Sequence, residues 1–145
     1  MNLLYTIGFT KKSAAQFFSL LQTNGVTHVA DVRLNNTGQL AGYTKANDLA
    51  FFLGLVGIQY QHWRAFAPIK QILAAYRADG DFEAYSARYR ELIVQRHAVG
   101  KLPAGMFSSR TVCLLCSEPT ADRCHRRLAS ELICRAVPRL QVRHL

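Results

Sequence analysis

Three reactive residues, Cys124, His125 and Arg126, follow one another directly, and a second cysteine, Cys116, lies shortly before them in the chain. A thiol, an imidazole and a guanidinium together can supply a nucleophile, an acid or base, and an anion-binding group. Cys116 ends an apolar run that begins at Val112 and predicts a buried β-strand. Open α/β sheets bind their ligands where strands end. The sequence therefore predicts a chemical site between this strand and the next helix.

The start of that helix determines what the reactive side chains can reach. We expect Asp122 to be its N-cap, which would place Cys124 to Arg126 in the first turn. Free backbone N–H groups and the helix dipole favour an anion there. Helical spacing puts His125 on the apolar stripe, pointing toward the sheet, with Arg126 beside the stripe and Arg127 facing solvent. The alternative for His125 is a structural role, in which it caps the end of the sheet through a backbone hydrogen bond.

The composition is that of one soluble domain with a basic surface. The chain has 145 residues and a formal net charge of +9, and half of its residues are hydrophobic. It has no apolar run long enough to span a membrane and no secretory leader, so we expect a cytoplasmic protein with reduced cysteines. From Arg110 onward arginines outnumber acidic residues, which favours a phosphate-bearing small molecule or nucleic acid as partner. The alternative is a generally basic, solvated surface.

Cys113 and Cys116 have the C-x2-C spacing of a zinc site, with Cys124 and His125 nearby. The predicted geometry argues against zinc, because residues three apart on a strand face opposite sides. Adjacent helical residues likewise diverge by about 100°. We therefore expect no metal and no cofactor, and we expect Cys113 on the opposite face of the sheet from Cys116. Glycine-rich motifs for dinucleotides or for the phosphates of a P-loop are also absent from the sequence.

Hydrophobic periodicity predicts strands that alternate with helices along the whole chain. Predicted strands lie at Leu3–Phe9, Thr27–Val32, Ile58–Trp63, Val112–Cys116 and Leu140–His144. This pattern indicates a single α/β domain with a mainly parallel, doubly wound, Rossmann-like sheet of about five strands and helices on both faces. A capping box at Ser13 and Gln16 starts the first helix, and Thr44 is a candidate cap for the second. The residues from Arg33 to Tyr43 form a polar segment that we expect to be a mobile lid, and those from Ala98 to Arg110 form a loop.

Parallel strands would bring many polar residues to one edge of the sheet. The candidates there are Gly8, Thr10, Asp31, Arg33, Tyr60, Cys116, Glu118, Cys124, His125 and Arg126. Asp31 and Arg33 share a strand face and can present a carboxylate and a guanidinium to one point. The alternative for this pair is an ion pair that fixes a loop.

Five short motifs in order resemble the domain-of-unknown-function family numbered 488. They are Tyr5-Thr6-Ile7-Gly8, Asp31-Val32-Arg33, Gly57-Ile58-Gln59-Tyr60, Leu114-Leu115-Cys116-Ser117-Glu118 and Cys124-His125-Arg126. The resemblance implies an α/β fold and a bacterial or archaeal intracellular protein, but it implies no activity. Two departures stand out: Phe9 and Thr10 replace the usual His and Ser, and Leu34-Asn35-Asn36 replaces a segment that usually contains proline.

The leading hypothesis is an enzyme that acts on a phosphate-bearing substrate, a nucleotide or nucleic acid. Arg33, Arg126 and the helix that starts near Cys124 would hold the anion. Asp31 or Glu118 would be nucleophile or general base. His125 would act as acid, base or orienting group, and the substrate-binding set would also include Gly8, Thr10 and Tyr60.

Two alternatives remain open at this point. In the first, Cys116 or Cys124 is a thiolate nucleophile whose pKa is depressed by its neighbours. In the second, the protein is a non-catalytic module that binds nucleic acid through its basic surface.

Overall fold

In the part of the chain that the structure describes, six α-helices connect five strands. A computed structural model describes residues 2–37, 42–118 and 121–145. The elements are β1 (Asn2–Gly8), α1 (Ala14–Thr23), β2 (His28–Asp31), α2 (Ala46–Leu55), β3 (Gln59–His62), α3 (Lys70–Asp79), α4 (Phe82–Gln95), α5 (Met106–Ser109), β4 (Val112–Cys116), α6 (His125–Ala136) and β5 (Leu140–His144). None of the described helices is long and apolar enough to cross a membrane.

The strands form one sheet in the order β3-β2-β4-β1-β5, and every neighbouring pair is parallel. The predicted α/β fold with a parallel sheet is confirmed. β4 lies at the centre, and all five of its residues are buried, as expected for the most apolar strand. Register pairs Cys116 at its end with Gly8 of β1, while Leu115 pairs with Asp31 of β2. The ends of β1, β2 and β4 therefore meet at one edge.

Helices cover both faces of the sheet and divide the core into two clusters. α1 and α2 bury Phe17, Leu21, Leu49 and Leu53 against one face, here called the α1/α2 face. The other face, here called the α6 face, packs against α3 to α6 through residues that include Ile72, Tyr89, Phe107, Leu128 and Ile133. Because side chains alternate along a strand, neighbouring residues of β4 belong to different clusters. Cys113 lies on the α1/α2 face and Cys116 on the α6 face, as predicted.

Local signals in the sequence explain most helix boundaries. The predicted capping box is present, since the Ser13 hydroxyl accepts from the Gln16 N–H at 3.1 Å and the Gln16 side chain accepts from the Ser13 N–H at 2.9 Å. Thr44 does not cap α2: it lies in a short 3-10 turn, and Lys45 is the N-cap. The predicted loop before β4 contains the short helix α5, whose Met106 and Phe107 fill the core of the α6 face.

Candidate active site

Two thiols and an imidazole meet where β4 ends and α6 begins. The Cys124 thiol donates a hydrogen bond to the Cys116 sulfur at an Sγ–Sγ distance of 2.9 Å. The His125 Nδ1 atom lies 3.9 Å from the same sulfur. The three side chains are buried, and their reactive atoms all lie within 4.8 Å of one another. This cluster has the composition of a nucleophile with its own hydrogen-bond donor and cation.

The N-cap of α6 differs from the prediction, and the difference creates the cluster. Cys124, not Asp122, is the N-cap: it has an extended backbone with φ −136° and ψ 142°, and its sulfur accepts from the Arg126 N–H at 3.5 Å. Asp122 is exposed two residues before this N-cap. Because Cys124 is outside the helix, the helical divergence of 100° between it and His125 does not apply. Both side chains can therefore converge on Cys116.

A backbone hydrogen bond fixes the orientation of the His125 ring. The Nε2–H group donates to the carbonyl of Val32 at the end of β2 with a distance of 2.7 Å, which leaves Nδ1 facing Cys116. The ring also packs on Tyr89 of α4, with centroids 5.7 Å apart. The predicted inward orientation of His125 is confirmed. The backbone hydrogen bond that was expected if His125 had a structural role is present as well. Here that contact selects which nitrogen reaches the thiol.

The surroundings of Cys116 favour its thiolate form. The hydrogen bond from Cys124 lowers the pKa of Cys116 well below its usual value, against the effect of burial, with further contributions from the His125 charge and the Glu118 N–H. The Cys116 thiolate, through that shared hydrogen bond, and burial raise the pKa of Cys124. Burial opposes the charge of His125, yet the Cys116 thiolate and the Val32 carbonyl raise the pKa of His125 overall. These shifts favour a thiolate at Cys116, positive charge on His125 and a neutral thiol at Cys124.

The cluster forms part of the wall of a cavity of about 400 Å³ on the α6 face. Exposed cationic side chains line the cavity from two directions: Lys70 and Arg77 from α3, and Arg123 from the turn before α6. None of these three makes an ion pair with another described residue. Glu118 is the one acidic residue among the described residues of the lining. The cavity is therefore electrostatically suited to an anion.

Asp31 lies on the α1/α2 face of the sheet, and both oxygens of its carboxylate accept hydrogen bonds. Its carboxylate accepts from Arg33 Nε at 2.9 Å and Nη2 at 2.8 Å, and from the Tyr60 hydroxyl at 2.6 Å. Arg33 Nη2 also donates to the Thr44 carbonyl, and the guanidinium lies over the Phe9 ring. The alternative interpretation, an ion pair that fixes a loop, matches this geometry. Asp31 and Cys116 were expected to face one pocket, and that expectation is wrong because Asp31 pairs in register with Leu115, one residue before Cys116.

Arg126 is completely buried on the α6 face but does not line the cavity. Its Nε donates to the Thr6 hydroxyl at 3.2 Å, and its Nη1 donates to the Glu118 carbonyl. Its Nη2 is buried without a hydrogen-bond partner. Gly8 makes this packing possible, since a Cβ there would stand 1.5 Å from the Glu118 carbonyl oxygen and 2.4 Å from Arg126 Nη1. Arg126 thus supports the loop that follows Cys116.

The predicted site residues therefore separate into two sets. Those that line the cavity are Arg33, Cys116, Glu118, Cys124 and His125, and those that do not are Gly8, Thr10, Asp31, Tyr60 and Arg126. The Thr10 N–H donates to the Ser117 carbonyl, so Thr10 holds the loop in place from outside the cavity. The proposed lid, Arg33 to Tyr43, includes residues 38–41, which are outside the described part of the chain. At its start, Leu34 and Asn35 line the cavity.

Sequence reasoning missed the residues that α3 and α4 bring to the cavity. These are Lys70, Tyr76, Arg77 and Tyr85. The signal available was the spacing of Lys70 and Arg77, which lie seven apart on a helix and therefore share a face. Tyr85 is buried in the core and also forms part of the cavity wall.

Among the described residues, Cys116, Cys124 and His125 form the group whose side chains are close enough together to offer three ligands to a metal ion. Cys113 cannot complete such a set, because it lies on the other face of the sheet. All four cysteines of the structure are free thiols.

Comparison with known protein families gives one result. The profile of a domain of unknown function, DUF488, matches residues 13–133, which include β2, β3 and β4 and the whole cysteine and histidine cluster. Neither the curated proteins nor the solved structures provide a match. The chain belongs to the DUF488 family.

Proposed function

We propose that this protein is an enzyme that uses the Cys116 thiolate as a nucleophile on an anionic, phosphate-bearing small molecule bound in the cavity. The observation that carries the proposal is the position of the Cys116 sulfur. It lies at the cavity wall, accepts a hydrogen bond from the Cys124 thiol and faces the imidazole of His125. A buried thiolate with such partners is the activated form of a cysteine nucleophile.

The competing nucleophiles are less suited to this role. Every oxygen of Asp31 already accepts hydrogen bonds, and its carboxylate is on the opposite face from the cavity. Glu118 is exposed at the cavity, and a hydrated carboxylate suits a general acid or base better than a nucleophile. Cys124 is the hydrogen-bond donor of the pair, and its pKa is raised.

The anion would be held by side chains and not by the helix N-terminus. The first-turn N–H groups of Arg126 and Arg127 are already bonded to the Cys124 sulfur and carbonyl. Lys70, Arg77 and Arg123 supply the positive charge instead. Three cations around one cavity match the multiple negative charge of a phosphate ester better than a single carboxylate.

His125 is positioned to serve the covalent step. When Cys116 attacks the electrophilic atom of the substrate, the leaving group departs with the bonding electron pair and needs a proton. His125 is charged in the resting site and lines the cavity, so its Nδ1–H can provide that proton. Its hydrogen bond to Val32 keeps the ring oriented throughout.

Alkylation by iodoacetamide tests the nucleophile. We expect the wild-type protein to be modified at Cys116 near neutral pH, with more than about tenfold loss of the alkylation rate in Cys116→Ser. Cys113→Ser is the matched control, because Cys113 is on the same strand and equally buried, yet burial raises its pKa. Preferential modification of Cys134, the most accessible cysteine, would contradict an activated Cys116.

Protection by ligands tests the anion. Inorganic phosphate and adenosine monophosphate should slow alkylation of Cys116, and Arg77→Ala and Arg123→Ala should weaken that protection. Arg135→Ala is the control, because Arg135 is an exposed cation on α6 away from the cavity. Absence of protection, together with oligonucleotide binding that weakens equally in all three variants and falls steeply with salt, would favour the nucleic-acid-binding module.

A further inference from the structure

The second thiol of the cluster has a geometry that nucleophilic attack alone does not require. The sulfur of Cys124 is already 2.9 Å from the sulfur of Cys116. A disulfide needs about 2.05 Å, so the two atoms must approach by less than about 1 Å. Cys124 is the N-cap of α6, and a rotation of its side chain would sacrifice only the long contact with the Arg126 N–H.

We propose that Cys116 and Cys124 form a reversible disulfide, in which Cys116 is the attacking thiol and Cys124 the resolving thiol. The disulfide turns the nucleophile off under oxidising conditions and so regulates the same site, which makes this inference rest on the proposed function. The co-reactant is a low-molecular-weight disulfide, and the cationic cavity favours one with negative charges.

The exchange has two steps. The Cys116 thiolate attacks one sulfur of the small disulfide, whose S–S bond breaks as a mixed disulfide forms, and the departing thiolate takes the Nδ1 proton of His125. Cys124 then loses its proton to the now neutral His125, whose Nδ1 is within 4.8 Å, and the Cys124 sulfur attacks the Cys116 sulfur. The second half of the small disulfide leaves as a thiolate and takes that proton from His125. The protein loses two protons and two electrons overall, and the small disulfide gains them as two thiols.

The first step prepares the second. In the resting site, the Cys124 thiol donates its proton in a hydrogen bond to the Cys116 sulfur. Once Cys116 is in a mixed disulfide, its sulfur carries no negative charge and accepts that hydrogen bond more weakly. Cys124 becomes a better nucleophile at the moment when its target forms.

The other two cysteines are not positioned to replace Cys124. Cys113 is on the α1/α2 face with the sheet between it and Cys116. Cys134 lies ten residues further along α6, which corresponds to about 15 Å along the helix axis. The fold therefore predicts one specific pairing among four free thiols.

Intact-protein mass spectrometry after incubation with glutathione disulfide tests the pairing. We expect the wild type to lose two hydrogens without retaining a glutathione adduct, and digestion should yield a Cys116–Cys124 cross-link. Cys124→Ser keeps a hydrogen-bond donor beside Cys116 but cannot resolve the adduct. In that variant we expect a glutathione adduct on Cys116, at least about tenfold more abundant than in the wild type and removable by dithiothreitol. Cys134→Ser should behave like the wild type.

The outcomes separate this inference from the proposed function. A stable adduct on Cys116 in the wild type, or a cross-link to Cys113 or Cys134, would overturn the pairing while leaving an activated Cys116 intact. Failure of Cys116 to react with either iodoacetamide or glutathione disulfide would overturn both proposals. An uncharged disulfide, bis(2-hydroxyethyl) disulfide, should react more slowly than glutathione disulfide in the wild type, and this difference should shrink in Arg77→Ala.

Discussion

Polar groups gather on both faces of the sheet at its carboxyl edge, but they do so in opposite ways. On the α1/α2 face, Asp31, Arg33 and Tyr60 satisfy one another, and no oxygen of the carboxylate is left for a ligand. On the α6 face, Cys116 and His125 adjoin a cavity whose exposed cations, Lys70, Arg77 and Arg123, make no ion pair with a described residue. Both clusters contain buried charge, and burial alone does not distinguish them.

The two clusters differ in whether their hydrogen bonds and charges are satisfied within the cluster or are directed toward a cavity. A buried ion pair whose bonds close on themselves fixes structure, because any further partner would have to displace a bond that is already made. In the Asp31 cluster, the Tyr60 hydroxyl is the third donor, and burial followed by the Asp31 contact raises its pKa to about 12. In the Cys116 cluster, charge is directed toward an open volume, which is the arrangement needed for a ligand.

The strongest test of this contrast is Asp31→Asn. Because it leaves Arg33 buried without its anionic partner, we expect the free energy of unfolding to fall by about 3–5 kcal/mol. The alkylation rate of Cys116 per folded molecule should remain close to that of the wild type. Chemical denaturation and iodoacetamide kinetics measure the two effects. Glu131→Gln is the control, since it removes the anion of an exposed pair and should change stability by less than about 1 kcal/mol. A stable Asp31→Asn protein with an unreactive Cys116 would contradict the structural role of Asp31 and support a catalytic one.

Arg126 and Arg127 provide a second comparison within one helical turn. Arg126 is completely buried and its guanidinium holds the Thr6 hydroxyl and the Glu118 carbonyl, so Arg126→Ala should reduce stability by about 1.5–3 kcal/mol. Arg127 is partly exposed and pairs with Glu131, so Arg127→Ala should cost less than about 1 kcal/mol and become milder with salt.

Thermal or urea unfolding of the two variants distinguishes them. The sequence-based hypothesis that Arg126 binds the ligand predicts, in addition, that only Arg126→Ala weakens protection of Cys116 by phosphate. If Arg126→Ala is as stable as the wild type and still loses that protection, Arg126 is a ligand-binding residue. Its Nη2, which has no hydrogen-bond partner, would then bind the anion.

The pH dependence of Cys116 alkylation sharpens the description of the α6 face. Because the folded-state pKa of Cys116 is depressed, its thiolate is present above that pKa, and reactivity is lost only as the pH falls through it. The hydrogen bond from Cys124 is the largest cause and the His125 charge a smaller one. Cys124→Ala should therefore move the reactivity profile further toward alkaline pH than His125→Gln does. The reverse order would show that the imidazolium dominates.

The smallest expected effect is that of a chelator. Because the exposed cations around the cavity repel a divalent cation, we expect purified protein to contain less than a stoichiometric amount of zinc. Treatment with ethylenediaminetetraacetate should leave Cys116 reactivity unchanged. Metal analysis that finds one equivalent of zinc, lost in Cys116→Ser, would convert the cluster into a three-ligand metal site and overturn the free thiolate.

Much of the fold was accessible from the sequence, and the site was accessible in part. Apolar runs alternating with capped amphipathic segments indicated a parallel sheet, because that pattern has few other solutions. The position of Cys116 at the end of the most apolar strand, and the inward face of His125, followed from the periods of strands and helices. The positions of the α3 cations at the cavity did not follow from these periods, because the local sequence does not show which strand end a helix will lie above.

The sequence by itself determined which residues reach the carboxyl edge, and it separated Cys113 from Cys116. The tertiary structure decided which face each polar residue occupies there. Asp31 pairs with Leu115 and not with Cys116, and a shift of one residue in register moves a side chain to the other face. The structure also decided that Cys124 lies just outside α6, which lets adjacent residues converge on one sulfur. The first outcome depends on pairing between distant segments and the second on the geometry of the helix cap, and hydrophobic periodicity encodes neither.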